Sequence, residues 1–447
     1  MTDTALSPRA LVVGLGSSGV ASARLLAARG WRVAVNDGDA ETSLASRLAE
    51  LPQGVERHLG GHPPEALEGV SLVVVSPGVP WDLPLLEQAR SRGIEVLAEV
   101  ELAFRHLPGV PLLGVTGSNG KTTVTALAGE VLRAAGASAA VGGNIGTPAS
   151  LHAVEGRWDA LVWELSSFQL EGCDTLRPRV GVLLNLSPDH LDRHGGLESY
   201  LAAKALIFRR QTAEDWAVLN ADDPALVGLR PRGRVEWFSL DNRRVAAHLG
   251  EDALVLDGTP LLRRSQLGLL GDHNVANALA AALATARLGA PREAIASALA
   301  AFKGLPHRHQ VVAEAGGVRY VDDSKGTNIG ATAAGLRGYV PGSVHLILGG
   351  RGKGQDFAAL RAPAAGPVAR AYLIGEAADE IGAALEGVVA VEACGTLERA
   401  VGRAAAHARS GDTVLLSPAC ASFDQFRDYA HRGDEFARLA RSLAGGR

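Results

Sequence analysis

The residues with the clearest chemical potential form one glycine-rich segment, Gly114-Val115-Thr116-Gly117-Ser118-Asn119-Gly120-Lys121-Thr122-Thr123. An apolar run precedes it and a helical pattern follows it, an order typical of a nucleoside triphosphate site. Lys121 would place a positive charge on the phosphates, and the Thr122 hydroxyl could bind Mg²⁺. Val115 stands where such loops usually have their first glycine, so an ordinary turn is the alternative. The segment predicts ATP or GTP binding without identifying the reaction.

Two polar segments follow apolar runs in the same part of the chain. Glu164 ends the run 160–163 and is suited to hold Mg²⁺ beside a phosphate loop, with a solvated strand-end carboxylate as the alternative. Ser166 and Gln169 come next and could bind a polar substrate. The second segment, 185–194, contains His190 among several Asp and His residues. It could form a second divalent-metal site or a polar loop with a helix-capping Asp.

An earlier glycine-rich segment, Gly14-Leu15-Gly16-Ser17-Ser18-Gly19, follows the first apolar run and begins a helical pattern. It matches the dinucleotide fingerprint, and Asp37 lies where a ribose-binding acid would end the next strand. The turn Ser76-Pro77-Gly78 follows a later strand and could line the same crevice. From these residues alone, the segment could bind NAD, bind another nucleotide, or serve as a structural turn.

Further charged residues lie near the start of the last third of the chain. Arg308, after His307, could contact a γ-phosphate or be a surface charge. The segment Asp322-Asp323-Ser324-Lys325-Gly326-Thr327-Asn328 begins a helix and could bind an anion, although helix capping explains some of its residues. Lys353 lies in a glycine-rich loop that could hold a carboxylate or be a flexible basic loop. Lys204 lies among small and apolar residues, where a lysine would ordinarily snorkel or pair with an acid.

The composition predicts a cytoplasmic protein of about three domains. The chain has 447 residues, a formal net charge of −4 and three widely spaced cysteines, and it has no long basic run. These features argue against a nucleic-acid partner, a zinc motif and a disulfide framework. The N-terminus lacks the pattern of a signal peptide, and no segment approaches about 20 apolar residues, so no membrane insertion is expected.

Alternating strand and helix patterns position these residues in three α/β domains, predicted at 1–107, 108–308 and 309–447. A linker is expected at 104–110, and several short strands with turns in 213–270 predict a small antiparallel part within the central domain. The predicted strands are 11–13, 32–35 and 72–75, then 160–163 and 180–184, then 318–321, 345–348, 371–374 and 413–416. The predicted helices are 20–29, 197–208 and 275–288.

Taken together, these segments resemble the Mur ligases, ATP-dependent amino-acid-adding enzymes of peptidoglycan synthesis. The resemblance covers essentially the whole chain and also rests on Gly142-Gly143-Asn144-Ile145-Gly146, Glu164-Leu165-Ser166-Ser167-Phe168-Gln169, Asp189-His190-Leu191-Asp192-Arg193-His194 and His273-Asn274-Val275-Ala276-Asn277. The first glycine loop, the segment 323–328 and Ser417-Pro418-Ala419-Cys420-Ala421-Ser422-Phe423-Asp424-Gln425-Phe426 look most like the members that add D-glutamate. The resemblance implies a Rossmann-like N-terminal domain that binds UDP, a central P-loop ATPase-like domain that binds ATP, and a Rossmann-like C-terminal domain that binds the amino acid.

The resemblance also implies roles for individual residues. Lys121, His190, Lys204, Arg308 and Lys325 would be catalytic. ATP would contact Gly117, Ser118, Asn119, Gly120, Lys121, Thr122, Thr123, Asn277, Arg308 and Asp323. The UDP substrate would contact Ser17, Ser18, Asp37, Ser76, Gly78, Asn144, Ser166, Gln169 and His190. D-Glutamate would contact Lys325, Thr327, Lys353, Ser422 and Phe423. Two Mg²⁺ sites would be formed by Thr122, Glu164, His190 and a Lys204 carbamylated by CO₂. Tyr429 stands where these enzymes often have Phe.

The implied reaction is the addition of D-glutamate to UDP-N-acetylmuramoyl-L-alanine through an acyl phosphate, with ATP consumed, by a monomer acting on small molecules. Three alternatives stay open at this point. Another Mur ligase or a folylpolyglutamate synthase-like ligase would share the ATP loop, although the first glycine loop argues against a folate enzyme. A nucleotide-dependent regulator would bind ATP without catalysis. An NAD oxidoreductase would use the first glycine loop.

Overall fold

A computed structural model describes residues 7–189 and 191–445, so His190 lies outside the described residues. The described chain forms three sheets, one in each third of the sequence. Their strands are mostly parallel and carry helices on their faces, as the alternating patterns predict. The α/β fold class is therefore confirmed.

The N-terminal part is a parallel sheet of Rossmann type. Its strands are β1 (Arg9–Val13), β2 (Arg32–Asp37), β3 (Glu56–Leu59), β4 (Val70–Val75) and β5 (Glu95–Ala98), and its helices are α1 (Ser17–Ala28), α2 (Ala45–Ala49), α3 (Pro84–Ser91) and α4 (Glu99–Arg105), with a 3₁₀ turn at Pro64–Leu67. The strand order is β3-β2-β1-β4-β5. Strands β2 and β3 lie on one side of β1, and β4 and β5 lie on the other. Where the strand order reverses in this way, a crevice opens at the carboxyl end of β1, and ligands of such sheets bind there.

The central part contains the largest sheet. Its strands are β6 (Leu112–Thr116), β7 (Ala139–Gly143), β8 (Ala160–Glu164), β9 (Val180–Leu183), β10 (Trp216–Asn220), β11 (Arg234–Ser239), β12 (Ala247–Leu249), β13 (Ala253–Leu256) and β14 (Thr259–Arg263). Its helices are α5 (Lys121–Ala134), α6 (Ala149–Glu155), α7 (Ser167–Glu171), α8 (Leu191–His194), α9 (Leu197–Ala205), α10 (Pro224–Val227), α11 (Asp272–Arg287) and α12 (Arg292–Ala301), with 3₁₀ turns at Leu206–Phe208 and Arg264–Gln266.

The antiparallel part predicted within 213–270 continues this central sheet. The strand order is β14-β13-β12-β11-β10-β9-β6-β8-β7, and β12 pairs in parallel with β11 but antiparallel with β13. The helix predicted at 197–208 is α9 followed by a 3₁₀ turn, and the helix predicted at 275–288 lies largely within α11. The small side chains of α11 let it pack closely against α5, the helix that follows the phosphate loop.

The C-terminal part is a second Rossmann-like sheet with one antiparallel edge strand. Its strands are β15 (Gln310–Ala315), β16 (Val318–Asp322), β17 (Val344–Gly349), β18 (Val368–Ile374), β19 (Ala390–Gly395) and β20 (Thr413–Leu416), and its helices are α13 (Ile329–Gly335), α14 (Arg361–Ala364), α15 (Ala378–Leu385), α16 (Leu397–His407) and α17 (Tyr429–Gly445), with a 3₁₀ turn at Phe357–Leu360. The order is β15-β16-β20-β17-β18-β19. Strand β15 pairs antiparallel with β16, and the other pairs are parallel.

Helix α4 joins the N-terminal part to the central part. The linker predicted at 104–110 begins too early, because Phe104 still belongs to α4, whose apolar face is buried. Two fully buried acids on α4 bind backbone N–H groups of the central part. Glu99 accepts from Ser150 N at 2.5 Å, and Glu101 accepts from Thr175 N at 2.8 Å.

A Glu99→Gln variant is expected to become more stable than the wild type as the pH rises. Burial raises the pKa of Glu99 from 4.5 to about 7, so the folded protein holds a proton that the unfolded chain has lost. Wild-type stability therefore falls as pH increases from about 4.5 through 7. Glutamine keeps the acceptor for Ser150 N and cannot ionise. We expect the stability of the variant relative to the wild type to rise by about 3 kcal/mol between pH 4.5 and pH 8.

Urea unfolding at the two pH values measures this difference. The control is Glu68→Gln, at an exposed carboxylate, which should leave the pH profile unchanged. A Glu99→Gln profile parallel to that of the wild type would show that Glu99 is ionised in the folded protein.

Candidate active site

The phosphate loop lies between β6 and α5 and is held from two sides. Gly120 has a φ of 85°, in the left-handed region, and a Cβ at this position would lie 2.3 Å from Oδ1 of Asn277. Only glycine fits such a position. On the other side, Asn185 accepts hydrogen bonds from the backbone N–H groups of Ser118 at 3.0 Å and Asn119 at 2.8 Å. The glycine at position 120 and the two hydrogen bonds to Asn185 therefore hold the loop in one conformation.

Lys121 is the first residue of α5 and turns back over this loop. Its Nζ donates to the carbonyl oxygens of Gly117 and Ser118, both at 2.8 Å. Burial lowers the pKa of Lys121, and the carboxylate of Glu164 opposes that shift. The ammonium group is thus held at the helix N-terminus, where a phosphate would also be favoured by the helix dipole.

A polar network connects the phosphate loop to Glu164, at the end of β8. Thr122 Oγ1 donates to one carboxylate oxygen of Glu164 at 2.7 Å, and Asn144 Nδ2 donates to the other at 3.0 Å. Arg308 Nη2 donates to Thr122 Oγ1 at 2.5 Å. A hydroxyl and a carboxylate on neighbouring elements are oxygen ligands of the kind that Mg²⁺ prefers, so their chemistry fits this ion.

Lys204, on α9, lies behind the phosphate loop. Its side chain is 1% exposed, and Nζ donates to Gly117 O at 2.9 Å. No acid pairs with this ammonium in the hydrogen bonds of the described residues, in contrast to the ordinary interpretation of such a lysine. Burial, reinforced by the charge of Lys121, lowers the pKa of Lys204 to about 6. The amine is therefore largely neutral at pH 7 and able to act as a nucleophile.

Arg308 reaches the phosphate loop from the junction of the central and C-terminal parts. The preceding residue, His307, has a φ of 61° and bonds Asp322 through Nδ1 at 2.7 Å, which ties the turn to the end of β16. Asp323 is half-buried, accepts from Ser417 Oγ at 2.7 Å, and has its pKa raised to about 7 by desolvation of the carboxylate. These contacts direct the Arg308 side chain across the junction.

The residues expected to contact the amino acid lie along loops at the carboxyl edge of the C-terminal sheet. Lys325 Nζ lies 3.9 Å from the centroid of the Tyr429 ring, so Tyr429 supplies the aromatic contact that Phe would supply. Burial lowers the pKa of Lys325 to about 8. Lys353 Nζ donates to Thr327 Oγ1 at 3.5 Å. Ser422 is buried, and Phe423 after it is 63% exposed.

Two clefts lie against the central part. The first, of about 440 Å³, lies between the central and C-terminal parts. Its lining includes many of the predicted ATP and catalytic residues, namely Asn119, Gly120, Thr123, Asn277, Arg308, Asp323 and Lys325. The second, of about 550 Å³, lies between the N-terminal and central parts and is lined by Ser17, Ser18, Asp37, Ser76, Gly78 and Asn144, among others.

Two predicted ligand contacts in the second cleft also hold its walls. Asp37 accepts hydrogen bonds from the backbone N–H groups of Leu15 at 2.6 Å and Asp39 at 2.9 Å. Ser76 Oγ donates to Gly14 O at 2.7 Å. The glycine loop is therefore fixed by the strand ends on both sides of β1.

Ser166 and Gln169 form the N-terminal capping box of α7 and are not among the residues that line either cleft. Gln169 is 1% exposed, and its Oε1 accepts from Ser166 N at 2.9 Å. Its Nε2 is buried and has no hydrogen-bond partner in the part of the chain that the structure describes. His190, predicted here as a metal and substrate ligand, lies outside the described residues.

Arg432 is a residue of this region that the sequence analysis missed. It is fully buried, and its guanidinium donates to Ser324 Oγ at 2.9 Å and to the carbonyl oxygens of Ser324 and Cys420 at 2.9 and 3.1 Å. It thereby joins the loops that precede Lys325 and Ser422. The sequence offers one sign of this role: an arginine at a position of α17 where the helical pattern calls for an apolar residue.

Among the described residues, no helix is long and apolar enough to cross a membrane, and no cluster of three or more His, Cys, Asp or Glu side chains could hold a metal. The predicted metal ligands instead combine Thr122, Glu164 and Lys204 with His190, which is not described.

Comparison with protein families matches three models along the chain. Residues 8–98 match the MurD-like N-terminal domain of Mur ligases, residues 115–285 match the Mur ligase middle domain, and residues 307–420 match the Mur ligase glutamate ligase domain. These matches cover all three parts of the fold.

Full-length relatives and solved structures agree with the family models. The UDP-N-acetylmuramoylalanine–D-glutamate ligase of Solibacter usitatus is 46% identical over 442 residues, covering 97% of this chain and 98% of the relative. That of Myxococcus xanthus is 45% identical over 461 residues, covering 99% and 100%. A pseudomurein peptide ligase type C from Methanothermus fervidus has a TM-score of 0.62 at 20% identity, covering 98% of this chain and 100% of its own. MurF from Acinetobacter baumannii has a TM-score of 0.62 at 19% identity, covering 96% and 93%. At such identities the solved structures support the fold alone.

Proposed function

Since the chain belongs to the Mur ligase family, we propose that it adds D-glutamate to UDP-N-acetylmuramoyl-L-alanine, forming an amide bond with release of ADP and phosphate. Mur ligases are ATP-dependent enzymes that use Mg²⁺. The substrates follow from full-length relatives at 46% and 45% identity that are named for this reaction. We propose that the enzyme works as a monomer in the cytoplasm.

The strongest support from the structure for this function is the set of residues around the phosphate loop. Arg308, at the junction, and Lys325, of the C-terminal part, line the same cleft as Gly120 of the phosphate loop, and Arg308 also donates to Thr122. A phosphate-binding loop that is completed by basic side chains from another part suits a reaction that joins ATP to two further substrates. The neighbouring cleft, of about 550 Å³, includes in its lining Asn144, whose Nδ2 donates to Glu164 beside the phosphate loop.

The chemical difficulty of the reaction is the alanyl carboxylate, whose negative charge makes it a poor electrophile. Its oxygen attacks the γ-phosphorus of ATP, ADP leaves, and the resulting acyl phosphate carries a good leaving group. The amine of D-glutamate then attacks the acyl carbon, and the tetrahedral intermediate expels phosphate. We propose that Lys121 and Arg308 stabilise the charge on the transferring phosphoryl oxygens.

The remaining residues bind and orient the substrates. We propose that Thr122 and Glu164 hold one Mg²⁺, which when bound offsets negative charge on the phosphate oxygens. A carbamate on Lys204 would supply oxygen ligands for a second Mg²⁺ together with His190. Asn277 and Asp323 would contact ATP, and Asn144 the muramoyl group. Contacts for D-glutamate would come from Lys325, Thr327, Lys353, Ser422 and Phe423.

Phosphate release measured with ATP, Mg²⁺ and a matrix of UDP-muramoyl substrates and amino acids tests the proposal. Release is expected with UDP-N-acetylmuramoyl-L-alanine and D-glutamate together, and not with either alone. Release that requires L-alanine or diaminopimelate with the corresponding precursor would assign another Mur reaction. Release driven by a folate and glutamate would assign a folylpolyglutamate synthase. ATP binding without release under any condition would favour a regulator.

A further inference from the structure

His62 is a cleft residue to which the sequence analysis gave no role. The chain leaves β3 at Leu59, turns through Gly60 and Gly61, and places His62 on the lining of the cleft between the N-terminal and central parts. Its Nε2 lies 3.3 Å from the position that a Cβ on Gly38 would occupy. The imidazole thus occupies the space beside a residue that has no side chain of its own.

A buried asparagine determines which nitrogen of His62 carries the proton. Asn36 is 0% exposed, and its Nδ2 donates to the carbonyl oxygens of His58 at 2.8 Å and Gly61 at 2.7 Å. Carbonyl oxygens only accept, so the Asn36 amide cannot be turned over without setting its oxygen against two acceptors. Oδ1 of Asn36 therefore faces Nδ1 of His62, at 2.6 Å.

The tautomer of the neutral ring follows from this contact. Because Oδ1 of Asn36 only accepts, Nδ1 of His62 must donate and carries the hydrogen. The other nitrogen, Nε2, then has a free lone pair and acts as an acceptor. It has no hydrogen-bond partner among the residues that the structure describes.

The position of His62 corresponds to the nucleoside end of the cleft. In a sheet of this type the diphosphate binds at the first glycine loop and the start of α1, and the nucleoside lies at the carboxyl end of the second strand. Asp37 ends β2, and Gly38 with His62 follows it on the cleft wall. The cleft lining also includes Asn144, which donates to Glu164, and Glu164 in turn accepts from Thr122 of the phosphate loop.

Asp37, the carboxylate at this end of the cleft, already accepts hydrogen bonds from the protein backbone. Both carboxylate oxygens of Asp37 accept backbone N–H groups, from Leu15 and Asp39. Nε2 of His62 is thus a hydrogen-bond acceptor at the nucleoside end of the cleft, and no hydrogen bond among the described residues occupies it.

We propose that His62 recognises the nucleobase of the substrate, with Nε2 accepting a hydrogen bond from the N3–H of uracil. Cytosine presents an acceptor at N3, so two lone pairs would face each other and CDP derivatives would be rejected. The inference rests on the proposed function, because it assumes that a uridine diphosphate occupies this cleft. It makes His62 a specificity residue for the nucleotide.

Competitive binding of UDP and CDP to the full-length protein tests the inference. Wild-type protein is expected to bind UDP at least about tenfold more tightly than CDP, the factor that one well-placed hydrogen bond supplies. His62→Phe keeps a ring of similar size and removes the lone pair. This variant should bind UDP about tenfold more weakly, with CDP little changed, so that the preference disappears. His248→Ala, on β12 outside the cleft, is the control and should retain the preference.

Nitrogen-15 NMR of the histidine rings gives an independent readout. The neutral form of His62 should carry its hydrogen on Nδ1 and not on Nε2, with the signal assigned by its loss in His62→Phe. A neutral His62 ring with its hydrogen on Nε2 would overturn the proposal. Equal weakening of UDP and CDP by His62→Phe would also overturn it, since it would indicate a ribose or stacking contact.

The ligation assay separates failure of this inference from failure of the proposed function. If the wild type ligates UDP-N-acetylmuramoyl-L-alanine and D-glutamate but His62→Phe keeps the full preference for UDP, the role of His62 is wrong and the function stands. If the wild type neither ligates nor binds UDP, both proposals are wrong.

Discussion

Replacing Lys121 with alanine is expected to reduce the rate of ligation by on the order of 100-fold or more. In the structure the Lys121 ammonium lies over the phosphate loop, bonded to two loop carbonyl oxygens, and can turn to the phosphates with little reorganisation. Its charge is needed most when negative charge moves onto the bridging oxygen that leaves with ADP. The loss should therefore appear mainly in kcat, with a smaller effect on the KM for ATP.

Phosphate release at saturating substrates measures the effect. Lys303→Ala, at an exposed lysine of the same part of the chain, is the matched control and should retain wild-type turnover. Thermal unfolding of both variants establishes that they are folded. Near-normal turnover by folded Lys121→Ala would contradict the role of this residue in phosphoryl transfer.

Lys204→Ala is expected to be largely inactive, and short carboxylates such as acetate or formate should restore part of its activity. The wild-type amine is buried behind the phosphate loop, and its pKa of about 6 leaves it neutral at pH 7. A neutral amine adds to CO₂ and loses a proton, which converts the amine into a carboxylate-like carbamate anion. That anion can hold Mg²⁺, whereas an ammonium group at the same place would repel it.

The pH dependence of carbamylation follows the sign of this shift. Because burial lowers the pKa of Lys204 from 10.5 to about 6, the reactive amine predominates above pH 6 and is lost below it. Activity of CO₂-depleted enzyme should therefore recover on adding bicarbonate at pH 8 and recover poorly at pH 5.5. Lys204→Arg, which cannot be carbamylated, should not respond to bicarbonate. Full activity of Lys204→Ala in CO₂-free buffer would refute the role.

The sequence predicted most of the fold because its signals were local. The phosphate loop is identified by glycines that lie directly before a helix whose first residue is Lys121. Such a signal is local because the backbone conformation and the helix dipole depend on neighbouring residues. The strands near Ala10–Val13 and Leu161–Trp163 were equally clear, because both faces of a parallel sheet are covered and demand continuous apolar runs. The linker at 104–110 was placed too early, since the end of α4 depends on what its apolar face packs against.

The candidate site was less predictable where one side chain could serve two purposes. Ser166 and Gln169 were expected to contact substrate, and in the structure they cap α7. Asp37 was expected to bind a ribose, and its oxygens hold the glycine loop. The roles proposed for these residues toward a substrate stay predictions. A hydroxyl or carboxylate after a strand has the same sequence pattern whether its partner is a backbone N–H group or a ligand.

By itself, the sequence determined the α/β class, the phosphate loop and the membership of a ligase family, because each depends on residues close together in the chain or on motifs in a set order. Only the tertiary structure decided that Lys204 is buried with its ammonium donating to a backbone carbonyl oxygen, that Arg308 reaches Thr122 across a junction, and that the neutral His62 ring lies against Gly38 with a fixed tautomer. The physical reason is that burial and charge are properties of the surroundings. Those surroundings come from segments far apart in sequence, and they give Lys204 its lowered pKa and the neutral His62 ring a single tautomer.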